Sequence, residues 1–540
     1  MAAEILRQSK PPDPFRVGLA SGWKVIDASM LAEDRTIEAD VAIVGTGAGG
    51  GTAAEILANA GLNVVMIEEG PLATSSDFQM RESEAYPELY QESAARKTKD
   101  KAINILQGRC VGGGTTVNWT SIFRTPLSTL EYWAREFGLE GFSAADLAPW
   151  FEQREQRQNA ISWPVVPNEN NDALRRGVQA LGFSVGAIRR NVKGCWNIGY
   201  CGMGCPTNAK QSMLVTTIPG ALARGATLLT RTRAWKFEHA NGRVSSLECL
   251  GLDAHGTDPT LRRIRIRAKT FIAAGGAIGT PALLKRSKTP DPNGIVGKRT
   301  FLHPSLVSAA LMPERIDGFS GAPQTIYSDQ FLEPGSPDGP IGFKLEAAPL
   351  HPVLGSTTLA GFGQAHARWM HALPYAHCAI ALMRDGFHRE SPGGSVELRS
   401  DGTPVLDYPL NDYLLEGARR ALATMAEIQF AAGAKEVMPV RPAGLSYTSW
   451  RDAREAIAAL PLGPSTATVV SAHVMGGCPL GPDPRRAVVD PSGRYRELEN
   501  LYVVDGSIFP TSIGANPQLS IYAIAAKLAS GLAQKLKVPS

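Results

Sequence analysis

The chain has 540 residues, 44% of them hydrophobic and 20% charged, and a formal net charge of +4. At about 150 residues per domain this is core for roughly two to four domains, enough to surround a large cofactor. No block of like charge occurs, so composition argues against nucleic acid or another polyanion as partner.

The N-terminal "MAAEILRQSKPPDPF" has no apolar signal core and no twin arginine. From Asp40, "DVAIVGTGAGGGTAAEILANAGLNVVMIEEG" predicts a strand, a glycine turn, a helix and a second strand ending at Glu68. Gly45, Gly47 and Gly50 form G-x-G-x-x-G at that turn. The first permits the tight turn, the second lets a pyrophosphate approach the backbone, and the third lets helix and strand pack closely. Glu68, about 20 residues on, can accept hydrogen bonds from an adenosine ribose. NAD and FAD use this unit alike, and close packing alone is the other reading.

A second glycine cluster, Gly112 to Gly114 in "GRCVGGGTTVNWTSIFRTP", precedes Thr115, Thr116 and Asn118. It can bring backbone and polar side chains against the remaining length of an extended FAD, which NAD would hardly require; a glycine-rich surface loop is the alternative. Phe142 to Arg157 predicts a surface-facing helix, acidic early and arginine-bearing late. Next come Cys195, Cys201 and Cys205, spaced C-x5-C-x3-C in a glycine-rich loop. Seven cysteines in so long a chain do not suggest a disulfide scaffold, so a reducing compartment is the default. Three thiolates could hold an iron-sulfur cluster, zinc would lack an obvious fourth ligand, and the favoured reading is free or disulfide-forming thiols with a structural role and no metal.

Thr227 to Ala268 alternates hydrophobic and polar residues, predicting antiparallel strands joined by turns such as "HANGR". "TFIAAGGAIGTPALLKRS" returns to strand, glycine turn and helix, while "EPGSPDGPIG" and "SPGGS" mark loops of a substrate-binding layer. No apolar run reaches the ~20 residues of a spanning helix. A cytoplasmic location, with at most peripheral membrane contact, is the expectation.

Four separated motifs, "GTGAGG", "GRCVGGGTTVNW", "AAGGAIGTPALLKRS" and "LYVVDGSIFPTSIGANPQLSIYAIAAKLA", resemble the glucose-methanol-choline (GMC) oxidoreductases in their order from about Asp40 to Leu532. "VGGGTTVNWTSIFRTP" and "GYCGMGCPTNAKQS" look most like the long-chain fatty alcohol oxidases and dehydrogenases within that family. The resemblance implies an α/β fold, with a Rossmann-like FAD-binding domain and a discontinuous α+β substrate-binding domain built on an antiparallel sheet. Residues 38–135, 195–300 and 466–540 would form the first domain and 301–465 the second, with 136–194 a helical insertion on the substrate side. It further implies non-covalent FAD, with Ala48 and Gly49 on the pyrophosphate and Glu68 on the ribose. Gly114, Asn118, Trp119 and Ser121 would line the flavin side, Ala234 the adenine, and Asp505 the ribityl chain.

Alcohol oxidation needs a base near the flavin ring, and histidine, with an ordinary pKa of about 6.5, suits neutral pH. Among nine histidines the family pattern selects His473 in "SAHVMGGCPLG"; the others, including His303 in "FLHPS", are read as structural. Asn516 in "GANPQLS" matches a partner position that can hydrogen-bond the substrate oxygen without competing for its proton; a helix N-cap ahead of Pro517 is the alternative. The implied reaction is oxidation of a primary, long-chain aliphatic alcohol to the aldehyde, by proton abstraction at His473 and hydride transfer to flavin N5. Sterol, polyol or aromatic alcohols, a hydroxynitrile-type lyase, and a flavin-binding protein without turnover remain as alternatives. The electron acceptor, whether oxygen, a protein or a quinone, stays open.

Overall fold

The computed structural model describes residues 12–537 apart from 334, 336–338, 360 and 465; residues 1–11 of the N-terminal stretch read above lie outside it. The apolar run ending the strand Arg35–Val44 is buried on both faces and pairs in parallel with Val64–Ile67 and with Pro259–Ala273. Thr227–Thr230 and Lys24–Asp27 extend the parallel sheet beyond Val64–Ile67, and Leu501–Val503 joins the end of Pro259–Ala273. Parallel strands need helical crossovers and bury both faces, which explains runs such as "VAIV" and "VVMI" with no polar alternation.

The alternating region forms an antiparallel ribbon from Thr232–Ala240, Arg243–Leu252 and the long strand Pro259–Ala273. Its first turn holds Asn241 and Gly242 at φ 51° and 73°, the left-handed pair that a two-residue hairpin of this kind requires. Helices Ala48–Asn59 and Gln518–Lys537 pack together beside the parallel strands, and small residues of both, such as Ala53 and Ala523, are buried in the shared core.

The second large sheet is mainly antiparallel. Ser305–Leu311, Ala376–Met383, Phe343–Ala347 and Ile326–Ser328 form its body, with Val469–Ser471 and Ile103–Ile105 along one edge. Side chains alternate between two buried faces. Leu306, Phe343, Leu345, Ala379 and Ala381 enter a core shared with helices Glu169–Ala180 and Asp412–Ala431, whereas Val307, Ala309, Cys378, Ile380 and Leu382 join a separate apolar cluster on the opposite face.

The segment 136–194 divides between the two halves. Helix Ala144–Arg157 sends Leu147 and Phe151 into the core of the parallel-sheet half, while Glu169–Ala180 packs on the antiparallel sheet. Arg154 in the first of these helices is 5% exposed and meets Glu55 at 3.8 Å, so the helix read as surface-facing is substantially buried along one side. Strands Ile103–Ile105 and Val469–Ser471, from segments assigned to the FAD-binding domain, belong to the second sheet. Among the described residues no helix is long and apolar enough to cross a membrane.

Candidate active site

The first glycine turn is built by close approaches. Gly45 has φ 94°, and a Cβ there would collide with the carbonyl of Ala274. Gly49 and Gly50 would likewise strike the carbonyls of Val504 and Gly45. Gly47 differs: the nearest atom to its Cβ position is Gly113 Cα at 4.0 Å, so its backbone stays open at the start of helix Ala48–Asn59. That helix end carries unpaired N–H groups and partial positive charge, which suit a pyrophosphate.

The second glycine cluster touches the first. Gly113 has φ 52°, and a Cβ on it would lie 3.0 Å from Gly47 Cα. Thr46 joins the two loops: its hydroxyl donates to Glu68 Oε2 at 2.6 Å and accepts from the N–H of Gly112 at 2.9 Å. Glu68 also accepts from the N–H groups of Thr46 and Gly70, yet burial outweighs these bonds and raises its pKa.

A cavity of about 1050 Å³ runs between these loops and the antiparallel sheet. Gly45, Gly47, Ala48, Gly49, Glu68, Gly114, Asn118, Trp119, Ser121, Ala234 and Asp505 all line it, as do His473 and Asn516; Gly50 lies behind the wall. Asp505 holds the start of helix Gly276–Arg286, accepting from Gly276 N at 2.8 Å and Thr280 Oγ1 at 2.6 Å. Asn118 Nδ2 donates to Gln518 Oε1 at 2.8 Å, and Ser121 Oγ donates to Gln324 Oε1 at 3.0 Å. The loop after the second glycine cluster is thereby tied to both halves of the molecule.

Behind that loop, the buried ammonium of Lys210 donates to the carbonyls of Thr116, Asn118 and Cys201 at 2.6, 2.7 and 2.6 Å. It clamps the cysteine-bearing loop to the cavity wall. Nothing in "NAKQS" marks it, because its partners are carbonyls that any residue could supply. Cys195, Cys201 and Cys205 are free thiols, and among the described residues no three His, Cys, Asp or Glu side chains gather as metal ligands. Arg190, fully buried, directs Nη2 to Cys201 Sγ at 3.8 Å.

His303 stands beside His473. Their Nδ1 atoms are 3.2 Å apart, and Gly514 N donates to His303 Nε2 at 3.0 Å. Asp385 fixes this arrangement by accepting from the N–H groups of Leu302 and His303 and from the hydroxyl of Tyr408. Burial lowers the pKa of His473 to about 4 and that of His303 well below its ordinary value, so both rings are neutral near pH 7. A neutral His303 whose Nε2 is filled by Gly514 carries its hydrogen on Nδ1, the atom facing His473. Proline after "LH" is the only local hint, and it says nothing of a second imidazole.

Asn516 points Nδ2 at Glu346 Oε2, 3.3 Å away. Its Oδ1 has no hydrogen-bond partner among the described residues, so the side chain does not cap the helix that follows.

Open backbone at Gly47, a helix N-terminus, buried Glu68 and a cavity continuing to the neutral imidazole of His473 fit an elongated flavin dinucleotide. Models of the family described as GMC oxidoreductase match residues 86–305 and 390–525. The chain belongs to the GMC oxidoreductase family. It is an FAD-dependent oxidoreductase acting on CH–OH groups. A GMC-type oxidoreductase of Sinorhizobium fredii is 30% identical over 92% of this chain and 95% of its own. A long-chain-alcohol oxidase of Arabidopsis thaliana is 29% identical over 93% of this chain and 69% of its own. In fold, this GMC oxidoreductase is similar to the pyridoxine 4-oxidase of Mesorbium loti (TM-score 0.65, 18% identity, 92% of this chain and 99% of that one). It is also similar to the formate oxidase of Aspergillus oryzae (TM-score 0.68, 16% identity, 94% and 99%).

Proposed function

We propose that this GMC oxidoreductase oxidises a primary, long-chain aliphatic alcohol to the aldehyde, with His473 as base and Asn516 holding the substrate oxygen. The observation that carries this reading is the cavity itself, which joins His473 and Asn516 to an apolar wall of Val307, Leu350, Val353, Ile380 and Leu382. An alkyl chain can lie along that wall while its hydroxyl meets the two polar side chains. Kinship with long-chain-alcohol oxidases supports the same substrate class.

FAD would be held by Gly47, Ala48, Glu68, Ala234, Asp505, Asn118 and Ser121, and when bound it supplies the hydride acceptor. His473 receives the hydroxyl proton. Its low basicity means that transfer goes to completion only as the carbinol carbon becomes carbonyl-like and its O–H becomes strongly acidic. The base form also needs the opposite tautomer of both rings: His473 carries its hydrogen on Nδ1 and leaves Nε2 bare, while His303 accepts at Nδ1 and carries its own hydrogen on Nε2. That shift frees the N–H of Gly514 from His303, at a cost of about 1–3 kcal/mol. Asn516 donates an amide hydrogen to the substrate oxygen and has no affinity for the proton being moved.

Anaerobic mixing of the flavin-loaded protein with a panel of alcohols including dodecanol tests the reading. Bleaching of the flavin band that is fastest with long primary alcohols is expected. Product formation with an unchanged band would instead indicate a lyase, and no change with any alcohol would overturn the proposal. Peroxide measured beside dye reduction separates oxygen from a protein or quinone as the final electron acceptor.

A further inference from the structure

On strand Phe343–Ala347 the residues Phe343, Leu345 and Ala347 enter the helix-covered core, so Lys344 and Glu346 face the other way. Glu346 is fully buried, sits opposite Ile380 of the cavity wall in register, and approaches Asn516 Nδ2 with Oε2 at 3.3 Å. Its Oε1 has no partner among the described residues, and neither has Oδ1 of Asn516. A buried carboxylate aimed at the amide beside the reacting oxygen is not a group the fold needs for packing.

We propose that Glu346 is a positioning residue whose charge decides which end of the Asn516 amide is available to the substrate oxygen. The inference rests on the alcohol-oxidising reading above. A carboxylate only accepts hydrogen bonds, so it can face only the Nδ2 end of the amide. One amide hydrogen is then held by Glu346, and the other is directed to the substrate oxygen. Once protonated, Glu346 can donate to Oδ1 as well, the two ends of the amide become interchangeable, and part of the population turns its carbonyl to the substrate.

Burial pushes the Glu346 carboxyl up to about 7, and Lys344 opposes this. The ionisable groups around it are Lys344 on its own strand and Tyr327 across in register on the next strand, with Asp329 acting on Lys344. His303, beside His473, senses both Lys344 and Arg384. Lys344 Nζ lies 3.7 Å from the centre of the Tyr327 ring and 4.1 Å from that of Phe123; burial lowers its pKa to about 8, with Glu346 opposing, so it is charged near pH 7. The ordered form of the amide is therefore present above about pH 7 and is lost below it.

The test is single-turnover flavin bleaching by dodecanol across pH, on flavin-loaded wild type, Glu346→Gln and Lys344→Met, with infrared difference spectra across the same range. The wild type is expected to lose rate as pH falls through about 7, a limb distinct from that of His473 near 4. Glu346→Gln should lower the alkaline rate about tenfold, with the loss in the limiting reduction rate rather than in the dodecanol concentration that half-saturates it, and abolish the limb together with a carboxyl band in the infrared. Lys344→Met should move the limb to higher pH, an outcome that loss of packing would not produce. A wild type without the limb, or a Glu346→Gln protein that keeps both rate and limb, overturns the inference while leaving alcohol oxidation intact. If Glu346→Gln fails to hold flavin, an unmoved limb in Lys344→Met overturns it alone. A wild type bleached by no alcohol would overturn both readings together.

Discussion

The glycine-loop wall of the cavity and the antiparallel-sheet wall opposite use the chain in different ways. The first comes from two short runs, 45–50 and 112–114, and offers backbone: open peptide at Gly47, a helix end, and a buried hydroxyl, Thr46, that joins the loops. The second offers side chains, Val307, Leu350, Ile380, Leu382 and His473, drawn from four stretches spread over some 170 residues. Backbone recognition requires glycine at set positions, because at Gly45, Gly49 and Gly50 a Cβ would strike a neighbouring carbonyl. An apolar wall requires only that alternate residues of several strands be apolar. The nucleotide wall is therefore intolerant and the sheet wall adjustable.

Substitutions on each wall can test that division. The largest effect belongs to the junction. His473→Ala should slow flavin reduction by about 10² to 10⁴ while leaving flavin bound; a stopped-flow rate equal to wild type would remove His473 as the base. Acid should act next, through the histidines buried between or behind the walls. Unfolded, these rings take a proton near 6.5, but folded His473 does so only at about 4 and His377 at about 3. Between those values protons favour the unfolded chain, so stability falls as pH drops below 6.5. The loss for His473 alone is about 3 kcal/mol. Urea midpoints across that range, compared with those of His473→Ala, would show whether this loss disappears.

Within the nucleotide wall, Thr46→Val leaves Gly112 N–H and Glu68 without their shared hydroxyl. It should lower the stability of the flavin-free protein by about 2 kcal/mol in urea titration. An unchanged midpoint would mean that the two loops are held by other contacts. The smallest change is expected on the sheet wall. Ile380→Trp should reduce dodecanol relative to butanol by about tenfold in kcat/KM, with flavin content unchanged. Loss of flavin in that variant would show that the two walls are not separable.

The motif at residues 45–50 was legible because its spacing is local: the tight turn at Gly45 and the approach of Gly50 to the Gly45 carbonyl both lie within one strand–helix–strand unit. Glu346 was illegible for the opposite reason. "FKLEA" alternates apolar and charged residues, the pattern of a strand with one face in water, yet the second face is closed by the other half of the molecule. Arg154 is hidden differently, against Glu55 within the parallel-sheet half, in a helix whose polar pattern suggests a solvent-facing surface. His303 carried no signal because its meaning depends on a ring 170 positions away.

By itself the sequence determined the dinucleotide unit, the antiparallel ribbon with its Asn241-Gly242 turn, and the membership in a flavin-dependent family, since each depends on residues adjacent in the chain or on ordered motifs. Tertiary structure decided which side chains meet at the far end of the cavity. His303 meets His473, and Glu346 meets Asn516, each across 170 residues. A hydrogen bond acts over about 3 Å, and no local pattern specifies which distant backbone will bring its partner within that reach.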